Sequence, residues 1–245
     1  MHDARRTFIP LTATLALLVA WQLAVMLGLV PNFLLPSPTQ VVVALVEDAS
    51  LLVSHSAATL LEAFLGLLVG CAVGFVVAVL MDRFEAVGLA LDPLVTLSQT
   101  IPTVAIAPLL VLWFGYGLAP KVVLVIISTF FPITVSLVSG FRSADADMID
   151  LMRTMNAGDW QIFWQVKIPA AAEQFFGGLR ISATYAIVGA VIAEWLGGFS
   201  GLGVYMTRVR KSFSYDRMFA VILLISALSL ALMGVVDVLR RVAMP

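Results

Sequence analysis

Six stretches of this chain contain no charged residue at all: Phe8–Val30, Ala63–Met81, Pro93–Pro120, Val122–Phe141, Ile181–Ala193 and Met218–Val236. About 20 predominantly apolar helical residues span the roughly 30 Å of hydrocarbon in a bilayer. Each run reaches that length alone except Ile181–Ala193, which does so if its helix starts near Gly178 and leaves Glu194 at the rim. Inside lipid every backbone polar group must be satisfied by the chain itself, which leaves only helices and closed barrels. Barrel strands alternate in segments of about 10 residues and leave no such runs. The expected fold is therefore an all-α membrane protein of six transmembrane helices, with residues 1–245 forming one domain. Composition agrees, at 61% hydrophobic and 12% charged residues, where soluble domains carry about 25% charged.

Several classes of function drop out early. Cys71 is the lone cysteine and lies within an apolar run, and His2 and His55 are far apart, so neither a disulfide nor a metal site is expected. A net charge of −1 offers no basic face for nucleic acid. No Gly-x4-Gly-Lys-Ser/Thr loop and no nucleophile-base set occurs, so the chain is expected to bind no cofactor and to catalyse nothing itself. Arg5-Arg6-Thr7-Phe8-Ile9 resembles the start of an export signal. The 23-residue run that follows exceeds a signal core of about 7–15 residues, so it reads as an uncleaved first helix. Six crossings from a cytoplasmic N-terminus place Arg5, Arg6, Arg83, Arg142, Arg153, Lys167, Arg180, Arg240 and Arg241 inside. Lys121, Arg208, Arg210, Lys211 and Arg217 then lie outside, so the positive-inside rule puts both termini in the cytoplasm.

Local signals divide the chain further. Pro31 to Pro38 forms a turn, and a short amphipathic helix runs from Pro38 to Glu47-Asp48. Gly66, Gly70 and Gly74 share one helix face, either for packing within the chain or for a subunit interface. Asp82 to Glu85 is a tight inner turn. Pro93–Pro120 is too long for one straight crossing and holds Pro102 and Pro108, which predicts a bent or broken helix. Broken helices at membrane depth line cavities. Ser98, Gln99, Thr100, Pro102, Thr103 and Pro108 are therefore the candidate pathway wall, although the hydroxyls can equally bond to their own helix. No Lys or Arg is expected inside a span, while Ser128, Thr129, Ser136, Thr184 and Tyr185 add neutral hydrogen-bonding groups. Glu194, beside Trp195, is a candidate for gating or docking, with plain interfacial anchoring as the other reading.

One island interrupts the apolar text. Residues 142–178 hold Arg142, Asp145, Asp147, Asp150, Arg153, Asp159, Lys167 and Glu173. Asp150-Leu151-Met152, then Asn156, then Val166-Lys167-Ile168-Pro169 keep the spacing of a cytoplasmic loop of the form Glu-Ala-Ala, three residues, Gly, nine residues, Ile-x-Leu-Pro. In this spacing the chain resembles permease subunits of bacterial ATP-binding-cassette (ABC) importers. Leu and Met replace the alanines and Asn replaces Gly, with Gly158 nearby as a source of the turn. Leu35-Pro36-Ser37-Pro38, Asp92-Pro93, Ile101-Pro102, Ala107-Pro108, Trp113 to Gly117, Gly178 to Ile181, Ala193-Glu194 and Gly201-Leu202-Gly203 extend the resemblance to its nitrate, sulfonate and taurine branch. That branch normally has a basic residue where Glu62 stands, so Glu62 receives no role.

The resemblance implies a type I ABC importer permease in the bacterial inner membrane. It would have a coupling-helix loop at about 142–178, a pair of ATPase subunits that bind ATP and Mg, an extracytoplasmic substrate-binding protein and a second permease copy. Asp150, Asn156, Ala157, Gly158, Asp159, Trp160, Phe163 and Pro169 would form the ATPase-coupling element. Trp160, Phe163 and Trp164 supply aromatic anchors of the kind that interfaces use, and Gly177-Gly178 would be the hinge. An interfacial helix on lipid head groups and a stand-alone secondary transporter are the rival readings. Residues 193–208 are also similar to permeases paired with aminopyrimidine-binding proteins. The expected cargo is thus a small, flat, neutral or weakly charged organic nutrient: a pyrimidine vitamin precursor first, riboflavin next, and a sulfonate or nitrate as the alternative.

Overall fold

The computed structural model describes residues 2–31 and 34–244, with side chains from Thr12 to Met244 except Asn32 and Phe33. Part of the expected Pro31–Pro38 turn, and the side chains of Arg5 and Arg6, lie outside the described residues. Among the described residues the elements are helices only. They are α1 (His2–Met26), α2 (Pro38–Glu47), α3 (Ala49–Arg83), α4 (Glu85–Ser98), α5 (Thr103–Phe114) and α6 (Leu118–Arg142). Then follow α7 (Ala146–Thr154), α8 (Asp159–Ile162), a π turn (Phe163–Lys167), α9 (Ile168–Leu196), α10 (Leu202–Lys211) and α11 (Tyr215–Ala243).

Among the described residues, four segments are long and apolar enough to cross a membrane: Ala49–Arg83, Leu118–Arg142, Asp159–Leu196 and Tyr215–Ala243. Helices α4 and α5 pass the same test as a pair bent by 98°. The break falls at Gln99–Pro102, where Pro102 caps α5 in an extended conformation, while Pro93 and Pro108 sit inside their helices. Helix α3 ends where α4 begins, near the 142–178 segment, and α6 starts at the opposite end, so the bent pair carries the chain across. Thr12–Met26 is a shorter apolar helix. The structure therefore supports four spans plus the bent pair, and the sixth crossing remains an expectation from sequence. We refer to the end bearing residues 142–178 as the near end and to the other as the far end.

The centre of the bundle is α3 and α9 packed against α6. Gly66, Gly70 and Gly74 lie directly on Val125, Thr129 and Ile133 of α6, so a Cβ at any of the three would meet those side chains. The glycine row thus serves packing within the chain. Gly178 does the same from α9, where a Cβ would run into Ser136 and the Pro132 carbonyl. Helix α9 continues unbroken through Gly177-Gly178, with Gly178 packed on α6 and nothing within 4 Å of a Cβ at Gly177. At α2, Ser37 accepts from the Gln40 N–H while the Gln40 side chain accepts from Ser37 N. This reciprocal cap fixes where that helix starts, and Val41 and Ala44 then pack on Ala220 of α11.

Candidate functional site

Three regions carry chemistry, and the first is at the near end. Helix α7 closes with Asn156 at φ +62°, a left-handed conformation that Gly, Asn and Asp adopt most readily. Asn156 therefore makes the turn itself, in the slot where the loop pattern has Gly. Gly158, expected to supply the turn, is instead extended (φ −71°, ψ 157°) and caps α8, its N–H donating to Gln161 Oε1 at 3.0 Å. Helix α7 is followed by the four-residue α8, which flows through the π turn into α9. Such turns are frequent where a helix has a functional joint. Pro169 is the second residue of α9, directly after the π turn, where its missing N–H cannot donate to that turn.

The aromatic residues of this segment point two ways. Phe163 is buried and packs against Phe141 of α6, ring centres 5.4 Å apart. It fastens the segment to the bundle rather than facing outward. Trp160 and Trp164 are half exposed or more, and with Leu151 and Met155 they leave an apolar face uncovered. Around it, Arg83 donates to Asp159 at 2.6 Å, Arg153 reaches Asp150 at 3.3 Å, and Lys167 donates to both oxygens of Asp82. Ala157 is half-buried within the turn.

The second region is a cavity of about 520 Å³ beside the bent pair. Ser98, Gln99, Pro102 and Thr103 line it, together with Ser128, Ser136, Phe131 and Tyr185 from α6 and α9. Thr100 and Pro108 do not. Thr100 bonds back to the Leu97 carbonyl, and Pro108 lies on α5 away from the opening. Of the neutral groups on α6 and α9, Thr129 is consumed in packing against Gly70, and Thr184 is absent from the lining. Ser98 and Ser128 already donate to carbonyls of their own helices, so towards the cavity each presents acceptor lone pairs. No charged side chain lines it.

The third region lies at the far end. Glu194, two residues before the end of α9, is fully buried within the protein: Oε1 accepts from Thr59 Oγ1 at 2.7 Å and Oε2 from the Gly203 N–H at 2.6 Å. Lys121, expected in an outer loop, is buried in the first turn of α6 and donates to Glu62 at 2.6 Å. A cation therefore does lie inside the bundle, paired in place. Lys121 also reaches the Ser200 carbonyl at 3.3 Å, Leu202 N donates to Thr59, and Gly201 N donates to His55 Nδ1. Gly201, at φ +119°, lies so close to Glu194 that a Cβ would strike its carboxyl group. The run from Gly197 to Gly203 is a strap pinned by buried polar side chains of α3, α6 and α9. Sequence reasoning missed Glu62 and Lys121 because their partnership spans 59 positions.

Several helices long and apolar enough to cross a membrane, with an uncharged cavity beside a broken helix, describe a polytopic membrane protein. Residues 66–243 match the family described as binding-protein-dependent transport system inner membrane component. The chain belongs to that family. A probable ABC transporter permease protein of Haemophilus influenzae is 40% identical over 93% of both chains. The formylaminopyrimidine transport permease protein ThiX of Halalkalibacterium halodurans is 36% identical, over 94% of this chain and 92% of its own. Among solved structures, the inward-facing MetNI methionine ABC transporter aligns with a TM-score of 0.70 at 20% identity, covering 81% of this chain and 99% of its counterpart. The chain is thus an inner-membrane, multi-pass ABC transporter permease with the corresponding fold.

Proposed function

We propose that this permease forms the path of an ATP-driven importer for a small, flat, neutral nutrient of the aminopyrimidine class. A binding protein outside the membrane delivers the cargo, and a pair of ATPase subunits at the near end drives it inward. Both termini are cytoplasmic in this reading, and a second permease copy completes the path, since a two-fold pair is the commonest arrangement of like subunits. ATP and Mg belong to the ATPases.

The observation that carries the substrate class is the cavity lining. Gln99 and the serine oxygens offer hydrogen bonds without charge, and Tyr185 and Phe131 offer flat apolar faces. Such walls suit a planar heterocycle, and they hold no fixed cation for a sulfonate or nitrate. The similarity to the formylaminopyrimidine permease points the same way. The near-end residues that meet the ATPases are Trp160 and Trp164, with Asp150, Asn156, Ala157, Gly158 and Asp159 shaping their display and Phe163 and Pro169 seating it. Glu194 acts at the gate rather than on cargo, because its oxygens are already taken by Thr59 and Gly203. The test is uptake by cells expressing the permease with its own ATPase and binding protein. Labelled hydroxymethylpyrimidine accumulates and alkanesulfonate does not; the opposite pattern rejects the substrate class.

A further inference from the structure

Helix α3 is tied at both ends to segments that belong to other helices. At the near end, Lys167 Nζ donates to Asp82 Oδ1 at 2.7 Å and Oδ2 at 2.9 Å, with the two side chains only 24% and 15% exposed. Lys167 is the last residue of the π turn, so this contact lies where the polar segment becomes α9. From Asp82 to Thr59, α3 runs about 35 Å at the helical rise. There Thr59 meets Glu194 of α9 and the Leu202 N–H, His55 holds Gly201, and Glu62 holds Lys121 beside Ser200. Between these ends the glycine row seats α3 on α6, so α3 transmits displacement along its length without bending freely.

Helices α3 and α9 thus form a frame closed at both ends. At the near end they are joined by Lys167–Asp82, and at the far end by Thr59–Glu194 and the strap. A push on the near-end segment reaches α9 through the backbone. It reaches α3 through Lys167–Asp82, reinforced by the exposed Arg83–Asp159 pair. If that join is cut, the near-end segment drives α3 only through helix packing and the exposed Arg83–Asp159 pair.

Building on the importer reading above, we propose that Asp82 and Lys167 are positioning residues that make α3 follow the ATPase-driven segment, so that nucleotide turnover at the near end changes how the 197–203 strap is held at the far end. The contact is a partly buried ion pair in which one ammonium reaches both carboxylate oxygens. A neutral replacement of either partner cuts this join, while the glycine row still seats α3 on α6.

The experiment uses the full complex with its own ATPase and binding protein in a Cys71→Ser background. Val204→Cys reports on the strap, because Val204 is buried beside Gly198. Its rate of modification by a small thiol reagent is compared with and without ATP and vanadate. In the parent complex the rate changes with nucleotide, within the about 5–150-fold range of ordinary coupling energies. In Lys167→Met and in Asp82→Asn, judged on complexes that still co-purify with the ATPase, the change falls below about twofold while ATP hydrolysis continues. The exchanged pair Asp82→Lys with Lys167→Asp recovers at least half of it. A nucleotide-dependent change that persists in Lys167→Met overturns the proposal, and so does a strap that never responds in a parent complex that imports. A parent complex that hydrolyses no ATP and imports nothing overturns instead the importer reading on which the proposal rests.

Discussion

Asn156 shows how a departure from a motif can preserve its geometry. The loop needs a left-handed residue after α7, and Asn adopts φ +62° at small cost where most residues would not. Asn156→Gly is expected to leave stability and transport unchanged. Asn156→Val is expected to destabilise the purified protein by about 1–2 kcal/mol, read as a lowered midpoint of thermal unfolding in detergent. The Lys121–Glu62 pair makes a second, sharper case. Lys121→Met strands a buried carboxylate and is expected to cost about 3–5 kcal/mol, whereas Lys121→Met with Glu62→Leu recovers most of that loss. If the double variant is no more stable than the single, the pair does not interact as described. Their partnership was not visible in the sequence. Lys121 read as an outer-loop cation, and Glu62 stood out only as a departure from the branch's usual basic residue; only folding brings them together.

At the scale of elements, the apolar runs were legible because membrane burial demands length and freedom from charge, and both are properties of contiguous sequence. The break at Gln99–Pro102 was legible too, since proline interrupts a helix wherever it falls. Which side of an element faces what was harder. Phe163 and Trp160 are three residues apart with similar hydrophobicity, yet one packs on Phe141 and the other stands exposed. The π turn shifts the helical register between them and α9, and no composition signal marks it. The glycines divide in the same way. Gly70→Leu is expected to separate α3 from α6 and lower the unfolding midpoint sharply, because its Cβ already meets Thr129. Gly177→Ala meets nothing within 4 Å and is expected to stabilise α9 by about 0.5–1 kcal/mol. A Gly177→Ala variant that folds well but loses transport would support a hinge at this point of the continuous α9.

Across the whole molecule there are three regions: an exposed apolar face at the near end, an uncharged cavity beside the bent pair, and a strap pinned by buried polar and charged side chains at the far end. They were partly readable, because the polar island and the broken helix are local features. The strap was not, because its partners come from positions 55, 59, 62, 121 and 194. The account rests on the near end being where an ATPase subunit seats and drives the bundle. Site-specific cross-linking in membranes, with single cysteines in a Cys71→Ser background, tests this most directly. Cysteines at positions 160 and 164 are expected to cross-link to the ATPase. One at 163 is expected not to, being buried against Phe141, and one at 212 is expected to be labelled only from the opposite face of the membrane. A cross-link from 212 to the ATPase, or none from 160 and 164 in membranes that import, would contradict the account.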